Sequence, residues 1–361
     1  MLGGIVTKKK RDIAEKIRDV SEEEAIEDLS KLMDLDVNDK TLSLKSSVGN
    51  RFLDYFFFPY RLDTKGTHGW GFYDLYFNKE LQNKPWKVKL YKQGKEKGLS
   101  HEKALYGVSN LYGGSISQFK ASIACYFYWK YNASSVIDPC SGWGGRMLGA
   151  WKMGIKYQSF DTNFDLKLPY SQMISFLKSV DKDTKLKIDF KDSAKVDYSK
   201  YTYDMVFTSP PYFDTEVYEG MEGYKDAKGD KIGRETTPFE VWIEKFYMPM
   251  FYKSYKHLSR NGWCVFNIPQ EAYPVAYFVL GEPDEIVQMP TAKRGKITYK
   301  GEYIYSWKRN KEPSNDASIA RKAELYRKAF IKYMNASKKE KKQFKQVHDW
   351  IKTAKIDEDD D

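Results

Sequence analysis

Between residues 203 and 218 the chain reads YDMVFTSPPYFDTEVY. A short apolar run, Met205 to Phe207, leads into Thr208-Ser209-Pro210-Pro211-Tyr212, the pattern of a buried strand that ends in a stiff turn. Two consecutive prolines fix two φ angles and remove two backbone donors, so no regular element is expected to absorb the carbonyls of Ser209 and Pro210. Those carbonyls are left to accept. The ring of Tyr212 adds a stacking surface, and the set suits a flat ligand bearing an NH2 group, as a nucleobase does. A rigid loop or a proline-rich docking motif uses the same letters, so the surrounding chain has to decide.

A second stretch, VIDPCSGWGGRMLGAWKMG from Val136, carries the other half of the chemistry. A strand ends at Asp138-Pro139, glycines 142, 144 and 145 form a turn, and a helix runs from Met147 to Gly154. Strand, glycine turn and helix open a nucleotide-type α/β fold, in which missing side chains let a ligand approach the backbone. YQSFD then predicts a strand ending on Asp161, roughly twenty residues past the glycines, where an acid can accept both ribose hydroxyls. After a helix over about 166–180, KLKIDF predicts a third strand with Asp192-Ser193 just beyond it. YDMVFT is the fourth and WCVFNI the fifth, ending at Asn267-Ile268-Pro269. In an open parallel sheet, ligands bind beyond the carboxyl ends of the strands where strand order reverses. If the first and fourth strands flank that point, Asp138 to Gly145 and Ser209 to Tyr212 face one cleft.

The elements around these motifs are less regular in pattern. Ser21 and Glu24 predict a capping box before a helix carrying Ala25, Ile26, Leu29 and Leu32 on one face. Arg51 to Tyr91 is aromatic-dense, basic and broken by Gly and Pro, and reads as irregular, either core filling or a base-stacking surface. Ile116, Phe119, Ile123 and Phe127 recur at helical spacing and predict an amphipathic helix ahead of Val136. The glycine-rich 213–236 stretch predicts a functional loop. Thr237, Pro238 and Glu240 then start a helix that kinks at Pro249 and ends at Asn261-Gly262. Ile297 to Trp307, turning at Lys300-Gly301, predicts an antiparallel hairpin that finishes the sheet. The basic stretch from Arg321 to Lys355 predicts a helix that either lies along phosphates or is solvated.

With 361 residues, 41% of them hydrophobic and 16% aromatic, the chain can bury a large core. Its net charge of +10 favours an anionic partner such as nucleic acid. Cys125, Cys140 and Cys264 are odd in number and unpaired in spacing, which argues against disulfides or zinc and fits a reducing cytoplasm. His68, His101, His257 and His348 form no ligand-spaced group, so no metal is expected. No apolar run is long enough for a membrane span, and MLGGIVTKKKRD lacks a signal-peptide core.

Taken together, DPCSGWGG and TSPPY resemble the cofactor motif and the [DNS]PP[YFW] catalytic motif of the S-adenosylmethionine-dependent DNA amino-methyltransferases, which make N6-methyladenine or N4-methylcytosine. The resemblance covers about Gly113 to Lys308, and the motif order is similar to the family's gamma-type arrangement. It implies a Rossmann-like methyltransferase fold, a mostly parallel seven-stranded sheet with a terminal antiparallel hairpin and additions at both ends. It further implies an accessory, possible DNA-contact region over 1–112, a catalytic domain over 113–310 and a charged helical tail over 311–361. Gly142 and Gly144 would border the methionine part of the cofactor, and Asp138 its amino group, directly or through water. Asp161 would take the ribose, Asp192 with Ser193 the adenine end, and Phe119 would match an upstream cofactor segment. Cys140, in the cofactor turn, would have a packing or backbone role. Ser209, Pro210, Pro211 and Tyr212 would be catalytic, on a base flipped from duplex DNA. The family places target recognition after the catalytic half, where this chain has little but charge, so recognition would fall to the 213–236 loop or the N-terminal region. RNA or protein amine methylation and a non-catalytic nucleic-acid binder remain alternatives, as does the choice between cytosine and adenine. The same resemblance fits a bacterial or phage enzyme, with or without a restriction partner.

Overall fold

The computed structural model describes residues 6–41, 46–65, 70–112, 118–211, 239–289, 302–335 and 346–356. Seven strands form one sheet: β1 (Ser135–Asp138), β2 (Lys156–Asp161), β3 (Leu186–Phe190), β4 (Met205–Thr208), β5 (Trp263–Ile268), β6 (Glu285–Gln288) and β7 (Tyr303–Lys308). Their order is β3-β2-β1-β4-β5-β7-β6. β4 pairs in parallel with β1 and β5, as β2 does with β3, whereas β7 runs antiparallel to both β5 and β6. This is the expected Rossmann-like α/β sheet, and its order reverses between β1 and β4. The antiparallel pair is built differently from the sequence expectation. Its first member is β6, upstream of Ile297, while the Lys300-Gly301 turn lies outside the described residues. β6 is a four-residue edge strand with no buried position, so it lacks the alternation that marks a half-buried strand.

The chain divides into two compact units. The first takes the described residues up to Asn132 and those from Ser141 to Phe190; the second takes Ala133 to Cys140, Lys191 to Pro211, and Phe239 onward.

Among the described residues the first unit holds ten α-helices: α1 (Lys8–Ile17), α2 (Glu22–Met33), α3 (Asn50–Arg61), α4 (Phe72–Phe77), α5 (Lys79–Gln82), α6 (Pro85–Glu96), α7 (His101–Tyr112), α8 (Ala121–Lys130), α9 (Gly145–Lys152) and α10 (Lys167–Val180). The predicted capping box at Ser21 and Glu24 is formed. Ala25, Leu29 and Leu32 are buried, but Ile26 is 46% exposed because it sits about 100° round the helix from Ala25. Asp28 occupies the buried face instead, accepting from the Arg51 and Phe52 N–H groups at 2.8 and 3.2 Å. That carboxylate caps α3, whose own N-cap, Gly49, has no side chain to offer.

The aromatic-dense stretch from Arg51 is helical, not irregular. Along α3, residues Phe52, Leu53, Phe56 and Phe57 share a buried flank, and Pro59 falls in the last turn, so few residues follow the bond it removes. Phe57 meets Tyr170 of α10 edge-on at 4.8 Å, and Phe52 meets Phe176 at 5.5 Å. The expected amphipathic helix ahead of Val136 begins only at Ala121. Phe119 precedes it, Ile116 lies outside the described residues, and 121–128 are buried all round. α8 is enclosed because α9 packs closely on it: a Cβ at Gly149 would stand 2.8 Å from the Ala124 Cβ and 2.9 Å from the Ala121 carbonyl. Among the described residues, no helix is long and apolar enough to cross a membrane.

In the second unit α11 (Phe239–Trp242) passes through a single π-helical turn, Ile243–Tyr247, into α12 (Met248–Lys256). Pro249 cannot donate to the preceding turn, and a widened turn is how a helix continues past it. Thr237 and Pro238 lie outside the described residues. α13 (Tyr273–Leu280), α14 (Ile319–Asn335) and α15 (Val347–Trp350) follow. The basic tail does not lie free of the core. Ile319, Ala320, Ala323 and Phe330 form a buried stripe at helical spacing, and α14 packs on α11 and α13. That short stripe was masked by the lysines and arginines between its members.

α15 brings His348 against Tyr273, Tyr303 and Tyr305, with ring centroids 5.0–6.3 Å apart. Burial lowers the His348 pKa, the nearby Asp349 carboxylate opposes that, and Lys352 adds to it. A histidine held neutral in the folded state binds fewer protons there than in the unfolded chain, so stability falls as pH drops below about 6.5 and levels off once below the folded pKa. Replacing His348 with Phe should flatten urea-midpoint profiles across that window.

Candidate active site

In the second unit, β1 and β4 deliver their C-terminal ends to each other. The Cys140 N–H donates to both Asp138 Oδ1 and Thr208 Oγ1, each at 3.1 Å. Asp138 and Thr208 are fully buried, so this shared bond works in low dielectric, and losing both acceptors would strand the donor. Asp192 also belongs to this cluster. Its Oδ1 accepts from the Ala194 N–H at 3.0 Å and its other oxygen lies 3.3 Å from Lys195 Nζ, while Ser193 is buried. Lys253 of α12 secures the same turn by donating to the Ala194 carbonyl at 2.7 Å. Tyr198 is buried beside these groups. Its pKa is pushed well above the ordinary range, first by burial, then by the neighbouring Cys140, Tyr203, Asp192 and Asp138.

The proline turn is fastened on both sides. Ser209 Oγ donates to Asn267 Oδ1 at 3.1 Å, and the Asn267 amide donates in turn to the Tyr303 carbonyl at 3.2 Å, tying the end of β4 to β5 and β7. Tyr247, in the π-helical turn, donates its hydroxyl to the Pro211 carbonyl at 2.9 Å. Its ring stacks on Phe251 with centroids 5.6 Å apart. Among the described residues, the carbonyls of Ser209 and Pro210 accept no hydrogen bond. Tyr212 lies outside the described residues, as does the 213–236 loop.

In the first unit the glycine turn is set by Asp161. Its Oδ2 accepts from the Gly142 N–H at 3.0 Å and its Oδ1 from the Asn163 N–H at 2.9 Å. The Gly142 carbonyl accepts from Tyr170 at 2.9 Å, and that hydroxyl accepts from Ser141 Oγ at 2.8 Å. Gly142 and Gly144 both have left-handed φ, +62° and +79°. Their surroundings differ. A Cβ at Gly142 would meet only the Arg146 guanidinium, at 3.9 Å, whereas one at Gly144 would press on Phe57, Leu53 and Met173 at 3.1–3.3 Å. Phe119 has its carbonyl against Gly145 and the buried Arg146 guanidinium 5.2 Å over its ring.

The second unit thus gathers Asp138, Cys140, Asp192, Ser193, Ser209, Pro210 and Pro211, and the first gathers Phe119, Gly142, Gly144 and Asp161. The chain passes between the two sets through the peptide bond from Cys140 to Ser141. Thr208, Asn267, Tyr198, Tyr247, Tyr170 and Arg146 escaped sequence reasoning as site residues. Thr208 and Asn267 had a usable signal, being polar residues at the ends of otherwise apolar strands.

No protein-family model and no curated protein matches this chain. Among solved structures it is similar to TrmN from Thermus thermophilus, at 10% identity and a TM-score of 0.33 over 52% of this chain and 48% of that one. It thus spans about half the length of the Thermus protein. An RNA methyltransferase from Salinibacter ruber in complex with S-adenosyl-L-homocysteine is similar at 13% identity and a TM-score of 0.31, over 56% of this chain and 98% of that one. An rRNA methylase from Streptococcus thermophilus gives 12% identity and a TM-score of 0.32, over 54% and 98%.

Proposed function

We propose that this chain is an S-adenosylmethionine-dependent methyltransferase acting on the exocyclic amine of a DNA base, N4 of cytosine or N6 of adenine. The observation that carries this reading is the pair of carbonyls at Ser209 and Pro210. They accept nothing among the described residues, while the groups on either side, Ser209 Oγ and the Pro211 carbonyl, are held by Asn267 and Tyr247.

The donor set fits the cofactor. In this reading Asp161 would take the ribose hydroxyls and Asp192 the adenine amine, and the backbone at Gly142, where a Cβ would meet only the Arg146 guanidinium at 3.9 Å, admits close approach. When bound, S-adenosylmethionine supplies a methyl group on a positively charged sulfur. A base amine is a poor nucleophile because its lone pair is delocalised into the ring. Donating hydrogen bonds to the Ser209 and Pro210 carbonyls draws that nitrogen toward tetrahedral geometry and returns the pair to it. Orientation then supplies much of the rate, and no covalent enzyme intermediate is required. The Cys140 thiol has no part in this, since that residue serves the turn through its N–H. A base in a duplex has to be flipped out first, and Tyr212 would stack on it.

Tritiated methyl transfer to DNA, RNA and protein, followed by nucleoside analysis of labelled DNA, tests the proposal. Label in N4-methylcytosine or N6-methyladenine bears it out. Label in RNA or protein alone moves the acceptor, and no label with retained nucleic-acid binding makes the chain a non-catalytic binder. Tyr247→Phe, which removes only the hydroxyl bound to the Pro211 carbonyl, should lower kcat about tenfold, the equivalent of one hydrogen bond. Affinity for S-adenosylhomocysteine should stay unchanged.

A further inference from the structure

Helix α6 carries a charge distribution that the fold itself does not explain. From Lys84 to Lys97 the chain reads KPWKVKLYKQGKEK, with one carboxylate, Glu96. Pro85 starts the helix, and Gly94 lets it lie close on α7, since a Cβ there would stand 3.1 Å from that of Ala104. One side is therefore committed to packing. Lys87, on that side, is 2% exposed with its ammonium 4.1 Å over the Trp70 ring. The opposite side is rich in lysine and also carries Glu96, one turn beyond Lys92. At 100° per residue, Lys84, Lys89, Lys92 and Lys95 fall within about 140° of arc, and all four are exposed.

Elsewhere on the described surface some exposed lysines are matched, Lys31 with Glu27, Lys200 with Asp197, Lys328 with Glu324 and Lys352 with Glu282, and others, such as Lys182 and Lys187, stand singly. Among the described residues none of Lys84, Lys89, Lys92 and Lys95 is ion-paired with a carboxylate, and Lys95 donates to the Leu99 carbonyl at 2.9 Å. Like charges three or four residues apart on a helix repel each other and weaken it slightly. Lys89 and Lys92 form such a pair, as do Lys92 and Lys95, so the arrangement works against the helix it sits on. From Lys84 to Lys95 the helix is about 16 Å long, which spans about five phosphates on one strand of a duplex.

We propose that the lysine face of α6 docks the phosphodiester backbone of a nucleic acid. Such lysine–phosphate pairing positions a duplex without reading its sequence. The proposal shares a nucleic-acid partner with the methyl-transfer reading and needs none of its chemistry. A test by binding alone, without cofactor, therefore separates a failure of docking from a failure of catalysis.

The test compares Lys84→Gln/Lys89→Gln/Lys92→Gln/Lys95→Gln with a control of equal net charge, Lys31→Gln/Lys200→Gln/Lys328→Gln/Lys352→Gln. Both are titrated against labelled duplex DNA, duplex RNA and single-stranded DNA over a range of salt, with melting curves to show that each is folded. The α6 variant should bind at least tenfold more weakly, and its slope of log K against log salt on a duplex should be shallower by about 3.6, or 0.9 for each of four phosphates no longer neutralised. The nucleic acid whose slope falls most is the one docked. Equal losses in the two variants would reduce the effect to net charge and overturn the proposal. So would an unchanged slope in a folded α6 variant, or stronger binding to vesicles containing anionic lipid than to all three nucleic acids.

Discussion

Gly145→Ala is expected to destabilise the protein by about 3 kcal/mol or more, a loss at the upper end of what single substitutions do. Its Cβ would stand 1.7 Å from the Phe119 carbonyl oxygen and 2.8 Å from that carbonyl carbon. Neither neighbour is the loose end of a flexible side chain. Relief requires the backbone just ahead of α8 or the first turn of α9 to move, and α8 is packed on α9 along its length. Urea unfolding measures the effect. Gly142→Ala is the matched control, since its Cβ would meet only the Arg146 guanidinium at 3.9 Å and the main cost is the left-handed φ of +62°, about 1 kcal/mol. Equal midpoints for Gly145→Ala and the parent would mean that the Phe119 carbonyl does not lie against Gly145.

The largest effect on ligand binding is expected from Asp161→Ala. Removing that carboxylate takes the acceptor from two backbone N–H groups, those of Gly142 and Asn163, and with it the proposed partner of the ribose hydroxyls. Hydrogen bonds to a charged acceptor contribute about 1.5–3 kcal/mol each. Affinity for S-adenosylhomocysteine by calorimetry should fall about 100-fold, equivalent to about 2.7 kcal/mol. Asp161→Asn, which keeps one oxygen and the shape, should fall between parent and alanine variant. A loss below about threefold in Asp161→Ala would remove the ribose assignment.

The strands and their terminal residues were legible because a parallel sheet buries both faces. Its strands read as short apolar runs, and the polar residue that stops each run stands at the ligand-binding end. Asp138 and Asp161 were placed at strand ends in this way, and Asp192 just past one. Asn267 was noted as a strand end, but its bond to Ser209 depends on β5 lying beside β4, which spacing alone does not reveal. Tyr247 gave no signal. It is one aromatic among many in FYMPMFYKSY, and what singles it out is a π-helical turn that rotates it toward Pro211. The N-terminal region misled for a related reason. Aromatics on several sides of a helix blur its period, so α3 read as irregular although its phenylalanines pack on α10.

That packing bears on how such a chain can be cut and recombined. Leu53 and Phe57 of α3 fill the hollow left by the absent side chain of Gly144, and Phe57 also abuts Tyr170, whose hydroxyl bonds the Gly142 carbonyl. Helix α3 is thus a floor under the glycine turn. A fragment trimmed to the motif-bearing stretch would keep every recognisable letter and lose the surface on which the turn rests. A hybrid exchanging catalytic halves with another protein would have to carry α3 along with its glycines.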